Sequence, residues 1–278
     1  MTIPVSIFLY CLALKGPALP PPDVRPLQDT MLHRGVTAHR GNSAEFVENT
    51  LPAFQSAIAL QVDWVELDIH RTRDEKIVVN HDRTTGRTGD RDLSIAESTY
   101  EELQSVDIAT GFRKKHGLSL AACPPQHMPL LEEVLPLFVN AGGVRLSIQP
   151  KADCVEEAIA LIRRFGAAEV VGFNDGNLEY MSKVKALAPT VPVFWDRPAD
   201  ADIDRDIRIA REKGFEALVV HREGITPAVV RKVKAAGLEM GAWTVNEGQQ
   251  MKNFLNIGVE RIYTDNPRLL IRIQNELK

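Results

Sequence analysis

The chain has 278 residues, 44% of them hydrophobic and 25% charged, the make-up of an ordinary soluble globular protein with room for one barrel-sized domain or two small ones. A formal charge of −4 argues against a general nucleic-acid binder, which carries a basic excess to neutralise phosphates, but it suits a small anionic ligand held by one or two local cations. Three cysteines, Cys11, Cys123 and Cys154, are too few and too scattered for a disulfide framework or a zinc site and read as free thiols.

Ile3 to Leu14 is a mostly apolar run of 12 residues, of signal-peptide length but without a basic flank or a clean small-residue cleavage site. Pro17 to Pro26 continues it as an extended linker. Residues 1–30 therefore read as a signal peptide or an N-terminal arm, with a translation start at Met31 as a third reading, and 31–278 as the folded unit. Cytoplasmic and exported locations both remain open. No later segment reaches the ~18 uncharged apolar residues of a membrane helix, so no integral membrane segment is expected.

A short apolar strand, Gly35 to Ala38, leads to His39, and Thr50 to Leu60 reads as a helix with Thr50 as cap and Pro52 in its first turn. Trp64 to Ile69 is the second strand and Lys76 to Asn80 the third, separated by the turn-like Thr72-Arg-Asp-Glu and followed by His81 and Asp82. From Arg83 to Met128 the rhythm fails. This polar stretch has one clear helical piece, Thr99 to Val106, and reads as an insertion forming a small cap. Helices and strands then alternate: Leu130 to Asn140, Val144 to Ile148; Cys154 to Phe165, Glu169 to Gly172; Asn177 to Leu187, Val191 to Trp195; Ile203 to Lys213, Ala217 to Val220; Thr226 to Ala236, Glu239 to Trp243; Gly248 to Ile257, Arg261 to Tyr263; and a last helix from Pro267.

Short apolar strands alternating with amphipathic helices imply parallel strands buried on both faces. The expected fold is an α/β (β/α)8 TIM barrel with one or two of the strand candidates short or paired within a loop. His39, Asp68, His81, Gln149, His221, Trp243 and Asp265 all fall at or just past strand ends, and only a closed barrel gathers those ends into one ring.

In an extended strand Glu66 and Asp68 project from one face and Val65, Leu67 and Ile69 from the other. Two acids on one face of an apolar strand repel and resist burial, so a cation belongs between them, a hard divalent ion being the simplest. His39 and His81 suit general acid-base work, since imidazole gives and takes protons near neutral pH. Arg40 offers a two-pronged hold on phosphate and Lys151 a point charge. Trp243 offers an apolar wall. His70 is a lesser candidate just past its strand, and His33-Arg34-Gly35, which duplicates His39-Arg40-Gly41, lies before any strand and is set aside.

These residues carry a family likeness. From Thr37 almost to its end the chain resembles the glycerophosphodiester phosphodiesterase family in His39-Arg40-Gly41, Glu48-Asn49-Thr50, Glu66-Leu67-Asp68, Thr72-Arg73-Asp74, His81-Asp82 with Arg87-Thr88, Trp243-Thr244-Val245-Asn246 and Thr264-Asp265-Asn266-Pro267. The resemblance implies a barrel that hydrolyses a phosphodiester to glycerol 3-phosphate and an alcohol with a bound Mg²⁺ or Ca²⁺. It implies His39 and His81 as the acid-base pair, Glu66 and Asp68 as metal ligands, Arg40 and Lys151 on the phosphate, and Glu48 behind them. Where the family carries Glu-x-Lys, its Glu a third metal ligand, this chain has Gln149-Pro150-Lys151, so the site loses a full negative charge and the ion should bind more weakly. A lysophospholipase D with a bulkier leaving group, and a phosphate-binding barrel with weakened turnover, are the alternatives.

Overall fold

The computed structural model describes residues 35–278, so the Ile3 to Leu14 run, the proline-rich stretch, the Met31 start and the His33-Arg34 pair lie outside the described residues. Eight parallel strands close on themselves: β1 (Val36–Ala38), β2 (Trp64–Arg71), β4 (Arg145–Pro150), β5 (Val171–Asp175), β6 (Val193–Arg197), β7 (Ala217–His221), β8 (Glu239–Trp243) and β9 (Arg261–Thr264). β1 pairs with both β2 and β9, which makes the sheet a (β/α)8 TIM barrel as expected. Helices α1 (Leu51–Ala59), α4 (Leu131–Val139), α5 (Val155–Arg164), α6 (Leu178–Leu187), α7 (Ile203–Lys213), α8 (Pro227–Ala235), α9 (Gly248–Asn256) and α10 (Pro267–Glu276) supply the outer layer.

Alternation along each strand separates two cores. Val65, Leu67 and Ile69 of β2 point outward and join the large apolar layer beneath the helices, with Phe54, Phe138 and Phe173. Trp64 points into the barrel, where it meets Phe194, Ala217, Val219 and Tyr263. Glu66 and Asp68 share the inward face with Trp64, so two carboxylates stand above an aromatic floor.

The ninth strand, β3 (Ile77–Val79), is not part of the barrel wall. It runs antiparallel to β2, with Ile69 opposite Val79. Its apolar run resembles a barrel strand, but only Thr72 to Lys76 separate it from β2; Thr72 N donates to Lys76 O at 2.9 Å and Glu75 has φ of 62°, a tight turn too short for a crossover helix. His81 nevertheless arrives at the mouth, because Asn80 N donates to Asp68 O at 3.0 Å.

Residues 83–128 form the insertion. It has its own small core of Ile95, Leu103, Val106, Ile108 and Met128 packed with Val78 of β3. Besides α2 (Tyr100–Gln104), capped by the reciprocal Thr99 and Glu102 bonds, it contains α3 (Thr110–His116). Thr-Gly-Phe-Arg-Lys-Lys-His has no apolar periodicity, which is why α3 is silent in the sequence; none of its residues is buried, and it ends on Gly117 in the left-handed region at φ 64°.

Most strand limits differ from expectation by one to three residues, β6 for example running from Val193 to Arg197 and not from Val191 to Trp195. β2 extends through His70, so that residue lies within the strand, and β4 extends through Pro150, so Gln149 is in the strand rather than past it. Val170 belongs to a 3-10 turn, and β5 starts at Val171 and runs on to Asp175. Thr50 occupies the cap position of α1, but its hydroxyl donates back to Val47 O at 2.6 Å instead of accepting from the helix.

Candidate active site

The barrel mouth encloses a cavity of about 650 Å³ lined by His39, Arg40, Glu66, His81, Gln149, Lys151, His221 and Trp243 among others. Asp68, fully buried, and Asp265, behind His39, do not line it. Of the strand-end residues singled out in the sequence, five therefore share one chamber and two support it from behind.

His39-Arg40-Gly41 is a tight turn leaving β1. Arg40 has φ of 57° and Gly41 of 81°, both left-handed, where a side chain other than glycine's is uncommon. Arg40 N donates to Glu66 Oε2 at 2.9 Å and Asn49 N donates to Arg40 O at 3.0 Å, so both faces of the strained peptide are tied. A Cβ on Gly41 would lie 2.7 Å from Ala53 Cβ of α1.

Each of the two candidate histidines is oriented by a carboxylate. His39 Nδ1 donates to Asp265 Oδ1 at 2.7 Å, and His81 Nδ1 donates to Asp82 Oδ1 at 2.6 Å. Since a carboxylate only accepts, the proton is on Nδ1 in each, and Nε2 is the nitrogen left for the cavity. The pairs are not equivalent. Burial opposes charge on His39, but the Asp265 hydrogen bond and the Glu66 charge outweigh it and raise its pKa; Asp265 is correspondingly held down to about 2, its own burial overcome by the bond to His39. His81 moves the other way. Burial lowers its pKa, helped by the charges of Arg40 and Lys151, while its Asp82 is shared with Arg87, whose Nε donates to Asp82 Oδ2 at 2.5 Å.

The acid pair is hemmed in by cations. Asp68 is fully buried; Lys151 Nζ lies 3.2 Å from its Oδ1 and Arg40 Nε 3.4 Å from its Oδ2, while Asn49 Nδ2 donates to Oδ2 at 2.9 Å. Burial alone would raise its pKa, and these cations pull it below the carboxylate range. Glu66 has fewer partners, and burial with the neighbouring Asp68 charge pushes it up to about 7. The register sets Asp68 beside Gln149 on β4. Gln149 Oε1 accepts from Lys151 Nζ, and its Nε2 donates to Asp196 Oδ2 at 2.8 Å.

Three side chains escaped the sequence reading. Asp265 and Asp82 were visible in quoted motifs but without a role; each becomes meaningful only as a histidine's partner, the first across 226 residues. Asp196 gave no signal because the sequence reading ends its strand at Trp195, whereas β6 runs on to Arg197 and carries the acid inside the strand. Glu48 sits behind Arg40, bonding Arg40 Nη1 at 2.9 Å and both Nη atoms of Arg87 at 2.7–2.8 Å. His70 is buried and spends its Nε2 proton on His81 O at 3.2 Å, a structural bond. Trp243 forms part of the wall, its indole N–H donating to Arg197 O at 3.3 Å and its ring meeting His221 edge-on at 5.0 Å.

Could the donor set take a divalent ion? Glu66 Oε1 and Asp68 Oδ1 are buried oxygens that accept no hydrogen bond, on one face of one strand. Gln149 Oε1 stands beside them as a neutral oxygen. Among the described residues no three His, Cys, Asp or Glu side chains converge on a point, so this set is two carboxylates and an amide, an incomplete but fitting oxygen site for a hard cation.

Fold and site together describe a TIM barrel whose mouth gathers two carboxylate-bound imidazoles, Glu66, Arg40 and Lys151 around one cavity. The sequence profile of the glycerophosphoryl diester phosphodiesterase family matches residues 39–269, and the chain belongs to that family. A glycerophosphodiester phosphodiesterase from Bacillus altitudinis is 29% identical over 87% of this chain and 99% of its own length. A lysophospholipase D from Homo sapiens is 24% identical over 84% of this chain and 83% of its own. An Agrobacterium tumefaciens crystal structure carrying the family's name is 27% identical, covers 87% of this chain and 97% of its own, and superposes with a TM-score of 0.76.

Proposed function

We propose that this phosphodiesterase hydrolyses glycerophosphodiesters to glycerol 3-phosphate and an alcohol, with residues from about 31 to 278 as the catalytic unit and His39 and His81 as its acid and base. The observation that carries this assignment is the pair of carboxylate-oriented imidazoles with opposite pKa shifts facing one cavity beside Arg40 and Lys151. His81, neutral, takes a proton from the attacking water on Nε2 as the new P–O bond forms. His39, protonated, gives its Nε2 proton to the leaving alkoxide as the old P–O bond breaks. Arg40 and Lys151 hold the non-bridging phosphate oxygens, whose charge otherwise repels the nucleophile. Trp243 supplies an apolar wall for the carbon part of the substrate.

Glu66, Asp68 and Gln149 are the residues that would hold the divalent ion, Mg²⁺ or Ca²⁺. When bound, that ion neutralises charge developing on the phosphoryl oxygens. No helix among the described residues is long and apolar enough to cross a membrane, and the substrate is a small molecule.

The test is a screen of Mg²⁺, Ca²⁺ and chelator against glycerophosphocholine, reading glycerol 3-phosphate. Release that depends on a divalent ion is expected; no release with any ion from well-folded protein would sink the reading. The human relative's lysophospholipase D name motivates a parallel arm with a lysophospholipid, and faster turnover there would move the leaving group from a small alcohol to a lipid one.

A further inference from the structure

Gln149 differs from the two acids beside it in one respect: its side chain ends in an oxygen and an NH₂ of nearly the same shape, and only the oxygen can face a cation. The neighbours decide which way it points. Lys151 Nζ, a donor only, takes Oε1, and on the far side Nε2 donates to Asp196 Oδ2 at 2.8 Å. The same Asp196 oxygen accepts from Asn174 Nδ2 at 3.1 Å, and Asn174 is fixed in turn by Ser147, whose hydroxyl donates to Asn174 Oδ1 at 2.6 Å. Asp196 is buried at 9% exposure, and its other oxygen has no partner. Oδ2 accepts these amides whether or not Oδ1 carries a proton, so the arrangement does not depend on the charge of Asp196.

We propose that Asp196 is a positioning residue that clamps the Gln149 amide with its oxygen toward Asp68 and Lys151, so that a neutral side chain presents an acceptor to the cation. This rests on the reading of Glu66, Asp68 and Gln149 as cation ligands. Without the clamp only Lys151 Nζ is left to orient the amide, and the flipped orientation that points NH₂ at the ion is no longer opposed from the Nε2 side. A glutamate at 149 has oxygen at both ends and needs no clamp. The dependence on Asp196 is therefore specific to glutamine.

The experiment is a double-mutant cycle read by calorimetric Mg²⁺ and Ca²⁺ affinity, with melting temperatures to confirm folding. Asp196→Leu in the natural protein should weaken cation binding about tenfold or more, the usual effect of removing a group that orients a metal ligand. In the Gln149→Glu background the same change should leave affinity unchanged or raise it. Equal losses in both backgrounds, or none in the natural one, would overturn the clamp. Absence of binding by the unmutated protein would overturn the ligand reading itself, and the clamp with it, whereas binding that Asp196→Leu leaves intact overturns only the clamp. Should Asp196→Leu fail to fold, Asp196→Ala removes the same acceptor without added bulk and carries the comparison.

Discussion

Gly41→Ala tests whether the turn that delivers His39 and Arg40 depends on close backbone approach. Two penalties apply. At φ 81° the left-handed conformation opposes a Cβ by roughly 1–2 kcal/mol. The new methyl would also lie 2.7 Å from Ala53 Cβ and 2.8 Å from Ala53 C, in a place where Asn42 N donates to Ala53 O at 3.1 Å and backbone cannot easily withdraw. Overpacking of this kind costs about 1–3 kcal/mol, so the sum is on the order of 2–4 kcal/mol, after allowing about 0.5 kcal/mol for the stiffer unfolded chain. For a domain of this size that lowers Tm by about 4–16 °C. Gly214→Ala is the control: φ is 71°, the site is the end of α7, and nothing lies within 4 Å of the added Cβ, so only the conformational penalty remains, and with the same allowance for the unfolded chain a fall of roughly 1–6 °C is expected. The assay is thermal melting of both variants, with turnover of glycerophosphocholine alongside. If Gly41→Ala melts no lower than Gly214→Ala, steric contact with Ala53 is not what holds the turn, and the argument fails.

Replacing His39 or His81 by Gln should each reduce kcat by about 10²–10⁴-fold while leaving the melting curve within a few degrees of wild type; a variant retaining a tenth or more of the activity is not missing its acid or base. The His39 and Asp265 pair sets a pH window for stability. Asp265 is held at about 2 against an ordinary 3.8, so its contribution is present above pH ~4 and lost as pH falls toward 2; His39 is raised above 6.5, so its contribution is full below 6.5 and fades as pH rises through its folded-state value. Asp265→Asn should flatten the acid limb of a Tm against pH profile between about 4 and 2, and an unchanged limb would show that other carboxylates govern it. Arg40→Lys keeps the charge but loses the fork, and should raise KM by about tenfold through weaker phosphate holding; an unaltered KM in steady-state assays would remove Arg40 from the binding role. Chelation of divalent ions should abolish glycerol 3-phosphate release and Mg²⁺ or Ca²⁺ should restore it, as a product assay would report.

Much of the fold was legible because parallel barrel strands are short, apolar and separated by amphipathic helices, and Ile203–Lys213 and Glu239–Trp243 fall at their expected limits. Glu66 and Asp68 stood out because two acids inside an apolar strand contradict their surroundings. What stayed hidden depends on contacts rather than on pattern. The direction of β3 is decided by the short turn from Thr72 to Lys76 and not by its own apolar residues. α3 lacks a buried face, so no periodicity announces it. Asp196 looks in sequence like a stray acid beside Arg197, and only the fold brings its carboxylate to Gln149. The roles of Asp82 and Asp265 needed the same step, since orienting a ring nitrogen is a property of distance.

The bond between His39 and Asp265 joins the first strand of the barrel to the last, which pair in parallel only once β9 exists. During synthesis the amino-terminal half of the mouth emerges with a histidine whose counterion has not yet been made. On the role proposed for His39, catalytic competence depends on the contact of longest sequence separation in the site, the kind that forms late and slowly because its loop is the largest to close. A chain that stops short of residue 265 would have most of the barrel's apolar surface and both imidazoles, but only the Glu66 charge, without the Asp265 bond, to favour the protonated form of His39. Activity in this architecture reports completed translation and closure together.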